Sequence, residues 1–339
     1  MSENVTDQIV ANLRERALEL YPSRGELRNI RVVGHTPKVD HFIYDLVADF
    51  LTGGERIAAK VYRTSKIGAQ PARNQAQREY ENLQRVHEQF TKHELPGVPR
   101  PLGNFSSLGA VVSEKIQGLP LQSMMMKAAL LPGYDDNTSL REAAAKAGEW
   151  LRNFHKLTAD APQIFDAEHL MSELETLCIS CRGEGLDDEA IQMILTGARN
   201  SLTKAKKSIP SSAVLNDFTP LNIVVTDEGV GVCDYGKMNA RGASFNDAAS
   251  FLAAVEALEK YPFCNRNITQ RVQESFIEAY GVNPAENAIL SVLKMRTLLS
   301  MFAQGRGVKD SAVRKKVMWA TVMKRFIQQA ASRSLAPAA

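Results

Sequence analysis

The stretch "VLNDFTPLNIVVTDEGVGVCDYGKM", residues 214–238, places an acid, an amide and a second acid around two short apolar runs. Asp217 lies before the first run, Asn222 lies at its start, and Asp234 follows the second run. The turn-prone residues 226–229 separate the two runs, which predicts a hairpin of two short strands. Single acids in such sequence are usually turn residues, so the meaning of this stretch depends on the rest of the chain.

Phosphoryl transfer is a chemistry that needs these three side chains together. It requires magnesium on the nucleotide phosphates, a group that orients the acceptor hydroxyl, and a cation that holds the phosphates. Magnesium prefers oxygen ligands and keeps several waters, so one carboxylate and one amide suffice from the protein, here Asp234 and Asn222. Asp217 is then the predicted catalytic residue, because a carboxylate off the metal can accept a hydrogen bond from the attacking hydroxyl.

A candidate cation lies in the N-terminal part of the chain. The segment 41–50 alternates apolar and polar residues like a half-buried strand, and 56–63, after a glycine turn, reads as its hairpin partner. Lys60 lies inside the second strand and, on alternation alone, could simply face solvent. The segment 72–90 predicts an amphipathic helix with Glu79 beside its apolar stripe. We expect Glu79 to position Lys60 on the phosphates, with an exposed ion pair as the alternative.

The spacing of these residues resembles that of kinases. Asp217 and Asn222 match the D-x-x-x-x-N of the kinase catalytic loop, and Asp234-Tyr235-Gly236 occupies the D-F-G position. With "NDFTPLNIVV" and the downstream "FNDAASFL", residues 30–255 resemble the aminoglycoside phosphotransferase and choline kinase family. In this resemblance Asp247 caps the following helix and supports the catalytic loop.

The resemblance implies a two-lobed, protein-kinase-like α+β fold. Residues 1–115 would form a small N-terminal lobe with an antiparallel sheet that binds nucleotide. Residues 116–339 would form a larger, mainly helical lobe for catalysis and acceptor binding, with ATP and Mg²⁺ as cofactors and ATP between the lobes. Between 121 and 333 we expect strands only in the hairpin of the opening stretch.

The same resemblance assigns further contacts to the nucleotide. Backbone groups near Glu114 and Ile116 would hold adenine. The segment "VGHTPKVDHF", residues 33–42, would form the loop that covers the phosphates, with Thr36 and Lys38 contributing, although a lysine in such a loop is often solvated.

Two departures from the family pattern keep an alternative open. Leu215 stands where the family usually has a histidine that braces the loop, and Gly34 is the sole glycine of the phosphate-covering segment. A nucleotide-binding pseudokinase acting as a regulatory or scaffolding module is therefore the second hypothesis. A purely structural helical protein, without nucleotide affinity, is the third.

The acceptor is expected to be a small molecule with a hydroxyl group. No Ala-Pro-Glu segment follows Asp234, which argues against the activation loop of protein kinases and against protein substrates. Sugars, amino sugars, amino alcohols and glycan-linked hydroxyls all stay open, and an acidic pocket would indicate a cationic acceptor.

Composition restricts the class of protein. A chain of 339 residues with 44% hydrophobic content can form two lobes, each with a buried core. The longest nearly apolar run, 248–258, is shorter than the roughly 18–20 residues that cross a bilayer. The N-terminus lacks the apolar core of a secretory signal. We therefore expect a cytoplasmic protein, and a net charge of +3 is too small to indicate a nucleic-acid partner.

Two local features have ordinary explanations. The basic residues between Lys309 and Arg333 face a single acid, Asp310, on a predicted helix, which is typical of a solvated face; weak contact with an anionic surface is the alternative. Cys178 and Cys181 form a C-x-x-C without the further ligands that a zinc site needs, so we expect buried helix cysteines rather than metal or redox chemistry.

Overall fold

The computed structural model describes residues 2–131, 137–182, 186–203, 205, 208–261, 263–282, 284–304 and 313–335. The chain divides into two compact units. Unit 1 comprises Met1–Leu119 and Val224–Met238, and unit 2 comprises Pro120–Ile223 and Asn239–Ala339. Unit 1 is built on a sheet, and unit 2 is mainly helical.

The sheet of unit 1 has five antiparallel strands in the order β1-β2-β3-β5-β4. The alternating segments of the sequence form its centre, where Ile43 of one strand lies opposite Lys60 of the next, and Lys60 lies opposite Val111. The strands are β1 Leu27–Pro37, β2 His41–Phe50, β3 Gly53–Tyr62, β4 Pro101–Phe105 and β5 Ala110–Glu114.

One long helix and several short ones accompany this sheet. The helices are α1 Ser2–Glu15, α2 Ala17–Leu20, α3 Thr64–Ile67 and α4 Ala69–Lys92. The predicted helix at 72–90 is confirmed, since α4 buries a stripe at helical spacing that includes Ala72, Ala76, Leu83 and Val86. This stripe fixes the rotation of α4, and with it the direction of Glu79.

A second, three-stranded sheet contains the hairpin of the opening stretch. Its order is β10-β9-β6, with β6 Leu119–Pro120, β9 Ile223–Val225 and β10 Val230–Val232. The Thr226 N–H donates to the Gly229 carbonyl at 2.9 Å and closes the turn. The predicted hairpin is confirmed, and Asp234 lies two residues after the end of its second strand.

Unit 2 is dominated by helices. They are α5 Leu121–Leu130, α6 Asn137–Leu157, α7 Ala167–Cys181, α8 Asp188–Leu202, α9 Phe245–Glu256, α10 Arg266–Tyr280, α11 Pro284–Gln304 and α12 Val313–Ser334. Helices α6 and α10 approach closely at Gly148, where an added Cβ would lie 2.5 Å from the Phe276 carbonyl oxygen. A side chain at this position would push the helices apart.

The expectation of a single hairpin in this region was wrong. Unit 2 also contains a three-stranded antiparallel sheet in the order β11-β8-β7, formed by β7 Asp160–Ile164, β8 Ser208–Val214 and β11 Asn239–Ala243. These strands are short, β7 and β8 contain proline, and β7 and β11 are largely exposed, so they lack the apolar alternation that marks a strand.

The segment predicted to form a phosphate-covering loop, residues 33–42, is largely strand. Strand β1 continues to Pro37 and β2 begins at His41, and the Lys38 N–H donates to the His41 carbonyl across the tight turn. Thr36 therefore lies in β1, opposite Ile43.

The remaining features of the sequence behave as follows. Cys178 and Cys181 are fully buried in α7, which confirms the prediction of buried helix cysteines. In the described parts of the chain, no His, Cys, Asp and Glu side chains form a cluster of three or more suited to a metal. None of the helices, over the same residues, combines the length and apolarity needed to span a membrane.

The basic C-terminal segment is partly engaged within unit 2. Lys309 and Asp310 lie outside the described residues. Lys324 pairs with Asp187, and Arg333 pairs with Glu259 at 2.8 Å. Contact of this helix with an anionic surface stays a prediction.

Candidate active site

Lys60, Glu79 and Asp234 form one cluster within unit 1. The Lys60 ammonium donates to Glu79 Oε1 and to Asp234 Oδ1, each at 3.0 Å. The exposed fractions of the three side chains are 14%, 5% and 23%, so the alternative of an exposed Lys60–Glu79 pair is wrong. Strand β3, helix α4 and the turn after β10 each contribute one member, which brings together residues up to 174 positions apart.

Within this cluster, the charges of Lys60 and Asp234 favour each other. Burial disfavours the ammonium of Lys60, but Glu79 and Asp234 outweigh it and hold the pKa of Lys60 well above its ordinary value. Burial also acts to raise the pKa of Asp234, but the Lys60 ammonium and the Gly236 N–H lower it below the ordinary value. Lys60 is therefore a fixed cation and Asp234 a fixed anion at neutral pH.

Three further side chains hold this cluster and were missed in the sequence. The Tyr62 hydroxyl donates to Glu79 Oε2, the Gln75 amide donates to the Gly236 carbonyl at 2.6 Å, and the Asn82 amide donates to the carbonyls of Tyr235 and Met238, both at 3.1 Å. Their spacing could have revealed two of them. Tyr62 is two residues after Lys60 and shares its face of the strand, and Asn82 is three residues after Glu79 and shares its face of the helix. The chain after Asp234 is thus fastened to α4.

Asp217 and Asn222 lie in the loop of unit 2 between β8 and β9. The Asn222 side-chain N–H donates to the Asp217 carbonyl at 3.0 Å, and the Asn222 backbone N–H donates to the Thr219 carbonyl at 2.9 Å. An amide that donates through Nδ2 directs its Oδ1 the other way, as a metal-binding role requires. The five-residue spacing is therefore closed into a compact loop.

Asp247 holds the start of this loop. It is fully buried in α9 and accepts hydrogen bonds from the backbone N–H groups of Leu215 and Asn216, both at 2.8 Å. The predicted support of the loop is confirmed. The predicted helix cap was wrong, since α9 begins after Ser244 and the Asp247 carboxylate bonds the loop.

A histidine from another element completes the support. His155 of α6 contacts Asp247 Oδ2 through Nε2 at 3.1 Å and the Tyr280 hydroxyl through Nδ1 at 3.0 Å. Leu215 is buried in the apolar core, with 1% of its surface exposed. The loop is therefore braced from α6, and the departure at Leu215 does not leave it unsupported.

An aromatic stack lies beneath the loop. Phe218, next to Asp217, is fully buried and stacks on Trp150 with ring centroids 5.9 Å apart. Phe251 and Phe276 contact its ring at 6.0 and 6.3 Å. These rigid rings anchor the backbone of Asp217 to three helices of unit 2.

The residues predicted at the adenine lie where strand β5 ends. The Glu114 N–H donates to the Arg100 carbonyl and its side chain pairs with Arg100 at 2.7 Å, while Ile116 packs against Gly231. Thr36 is exposed in β1. The adenine and phosphate roles of these residues stay predictions.

Comparison with known proteins supports the fold. No protein-family profile matches the sequence, and neither does any curated protein. Solved structures do match, with high probability. A choline/ethanolamine kinase family protein from Mesorhizobium loti aligns over 98% of both chains with a TM-score of 0.55 and 15% identity.

The fold is kinase-like. The aminoglycoside phosphotransferase APH(4)-Ia, solved as a thermostable mutant with AMP-PNP and hygromycin B, aligns over 96% of this chain and 100% of its own, at a TM-score of 0.54 and 14% identity. The ADP-bound aminoglycoside phosphotransferase APH(2'')-Ib aligns over 94% of this chain and 98% of its own, with a TM-score of 0.52 and 12% identity. The predicted kinase-like fold, with its small antiparallel sheet and mainly helical remainder, is confirmed.

The side chains present fit ATP and magnesium. Within unit 1, a largely buried ammonium fixed by a carboxylate suits an anionic phosphate chain, and Asp234 offers a carboxylate of the kind that magnesium accepts. Within unit 2, Asn222 offers an amide oxygen, which is also a suitable magnesium ligand. Asp234 Oδ1 is engaged by Lys60 and by the Gly236 N–H at 3.0 Å. These bonds set the orientation of the carboxylate.

Proposed function

We propose that this protein transfers the γ-phosphoryl group of ATP to a hydroxyl of a small molecule, with Mg²⁺. The observation that carries the proposal is the largely buried Lys60, with 14% of its side chain exposed, held by Glu79 and in contact with Asp234. Burying a lysine and two carboxylates is expensive unless the charges serve a ligand or each other, and such clusters are concentrated at functional sites. The kinase-like fold gives this cluster a phosphate-binding role by analogy.

Each residue then has a distinct task. Lys60, positioned by Glu79, would hold the phosphates, while Asn222 and Asp234 would provide the metal ligands. When bound, ATP supplies the phosphoryl group and magnesium neutralises its charge. The acceptor hydroxyl oxygen bonds to the γ-phosphorus as the bond from that phosphorus to the bridging oxygen breaks and ADP leaves. Asp217 orients the hydroxyl and accepts its proton.

The alternative, a nucleotide-binding pseudokinase, was motivated by Leu215. The structure provides the brace that a histidine there would give, because His155 and Asp247 hold the same loop. This observation favours the enzyme over the regulatory module.

The test combines thermal stability with turnover. We expect ATP with Mg²⁺ to raise the melting temperature and hydroxyl compounds to release ADP. Asp217→Ala should abolish turnover and keep the thermal shift, whereas Lys60→Met should weaken ATP binding at least about 10-fold, as loss of a buried charged contact implies. Lys66→Met, the same change on an exposed helix position, is the matched control.

Two outcomes would contradict the proposal. If ATP with Mg²⁺ does not raise the melting temperature, the protein does not bind the nucleotide and the proposal is wrong. A shift that Lys60→Met abolishes, without turnover of any hydroxyl compound, would establish the pseudokinase.

A further inference from the structure

Unit 2 contains a cavity that reaches the catalytic loop. Its volume is about 650 Å³, and helices α7, α9 and α11 form its walls. Asn216, which directly precedes Asp217, also lines it. A molecule of sugar size fits this volume. The cavity is therefore a candidate site for the acceptor, within the function proposed above.

The described walls of the cavity are polar and rich in hydroxyl groups. Five of the eleven lining residues are serine or threonine, two are asparagine, and Leu177 is the sole aliphatic side chain among them. No aromatic ring other than the imidazole of His169 lines it within the described residues. Quaternary ammonium groups are usually recognised by aromatic faces, so these walls do not suit a choline-like acceptor.

The charges of the cavity cancel. Arg296 of α11 donates through Nη1 to Glu173 Oε2 at 3.0 Å and through Nη2 to Asn246 Oδ1 at 3.1 Å. His169 contacts the second oxygen of Glu173 at 3.4 Å. Glu173 is the one carboxylate among the described lining residues, and both of its oxygens already face basic groups.

This charge balance disfavours a polycationic acceptor. Each ammonium group would enter beside the Arg296 guanidinium, while the Glu173 carboxylate is already paired with that guanidinium, and like charges at short range repel. The criterion set by the sequence was that an acidic pocket would indicate a cationic acceptor. The cavity is not acidic.

We propose that the acceptor is an uncharged polyhydroxylated molecule, a sugar or cyclitol, and that Arg296 is its specificity residue. The guanidinium is held in one orientation by Glu173 and Asn246, and 27% of the side chain is exposed. A planar, oriented fork of N–H groups can donate to two neighbouring hydroxyl oxygens. The inference rests on the proposed phosphotransferase function.

The experiment measures acceptor selectivity and binding separately. Steady-state ADP release is followed with D-glucose and myo-inositol, and with streptomycin, hygromycin B and choline as cationic probes. Binding of the same compounds is measured by calorimetry without ATP. Wild-type protein should use and bind the uncharged polyols and neither use nor bind the cations.

Variants of Arg296 test its assignment. Arg296→Gln should raise the acceptor KM about 10- to 100-fold, the effect of losing a charged hydrogen bond, while the KM for ATP stays within about 2-fold. Arg296→Lys keeps the charge but loses the fork, so its acceptor KM should rise similarly. Arg271→Gln, the same change at an exposed position of α10, is the control. Melting temperatures and the ATP-induced shift verify folding of each variant.

The outcomes distinguish the two proposals. Turnover of cationic probes alone, or an unchanged acceptor KM and polyol affinity in Arg296→Gln, would overturn the acceptor assignment and leave the phosphotransferase intact. Failure of ATP to bind the wild-type protein would overturn the phosphotransferase. Polyol binding lost in both Arg296 variants supports the assignment independently of turnover.

Discussion

Replacing Asp247 by asparagine tests whether this carboxylate shapes the catalytic loop. The wild-type carboxylate, which is fully buried, accepts two backbone N–H bonds, from Leu215 and Asn216, and contacts His155. In Asp247→Asn one oxygen remains, and the amide N–H₂ faces a backbone donor. At least one charge-assisted bond, about 1.5–3 kcal/mol, is lost, and a buried donor is left unsatisfied at about 1–3 kcal/mol.

The free energy of unfolding should therefore fall by about 3–5 kcal/mol, measured by urea titration. A loop displaced by about 1 Å should also lower kcat by about 100-fold, while the contacts of Lys60 with Glu79 and Asp234, all within unit 1, are kept. The control is Asp188→Asn, an ion-paired aspartate of unit 2 that is 79% exposed, which should change stability by less than about 1 kcal/mol. A change below about 1 kcal/mol in Asp247→Asn, with kcat retained, would refute the reasoning.

Three other predictions follow from single contacts. Tyr62→Phe removes the hydroxyl that donates to Glu79 and should lower the free energy of unfolding by about 1.5–3 kcal/mol in urea titration, while ATP still binds. The pKa of Asp234 is lowered in the folded protein, so its stabilising contribution is present above about pH 4 and is lost as the pH falls further. The stability difference between wild type and Asp234→Asn should shrink accordingly in acid titrations. Gly148→Ala, whose Cβ would meet the Phe276 carbonyl, should destabilise by about 1–3 kcal/mol in thermal unfolding.

Much of the site was predictable because its residues sit on strongly patterned elements. Strand β2 has the predicted bounds, and the apolar stripe of α4 directs Glu79 towards β3. The order of Lys60, Glu79 and Asp234 along the chain therefore indicated that the three side chains lie close together. The kinase-like fold expected from the opening stretch brings the Lys60 ammonium within 3.0 Å of Glu79 Oε1 and of Asp234 Oδ1.

The rest depended on contacts that no local pattern records. His155 reaches Asp247 across 92 residues, and nothing in the periodicity of α6 distinguishes it from another buried histidine. Arg296 was missed for the same reason, because its partner Glu173 lies 123 residues earlier in the chain and no local pattern links the two. The strands β7, β8 and β11 escaped notice because short strands owe their structure to pairing rather than to their own alternation.

The aromatic stack beneath Asp217 also gives the protein an optical reporter. Trp150 is one of two tryptophans in the chain, and its indole lies nearly parallel to the ring of Phe218, with 11° between the planes. Any movement of the loop that carries Asp217 must shift Phe218 against this indole and alter its emission. With the other indole, Trp319, replaced by phenylalanine, the fluorescence of Trp150 would follow the loop through binding and turnover without an added label.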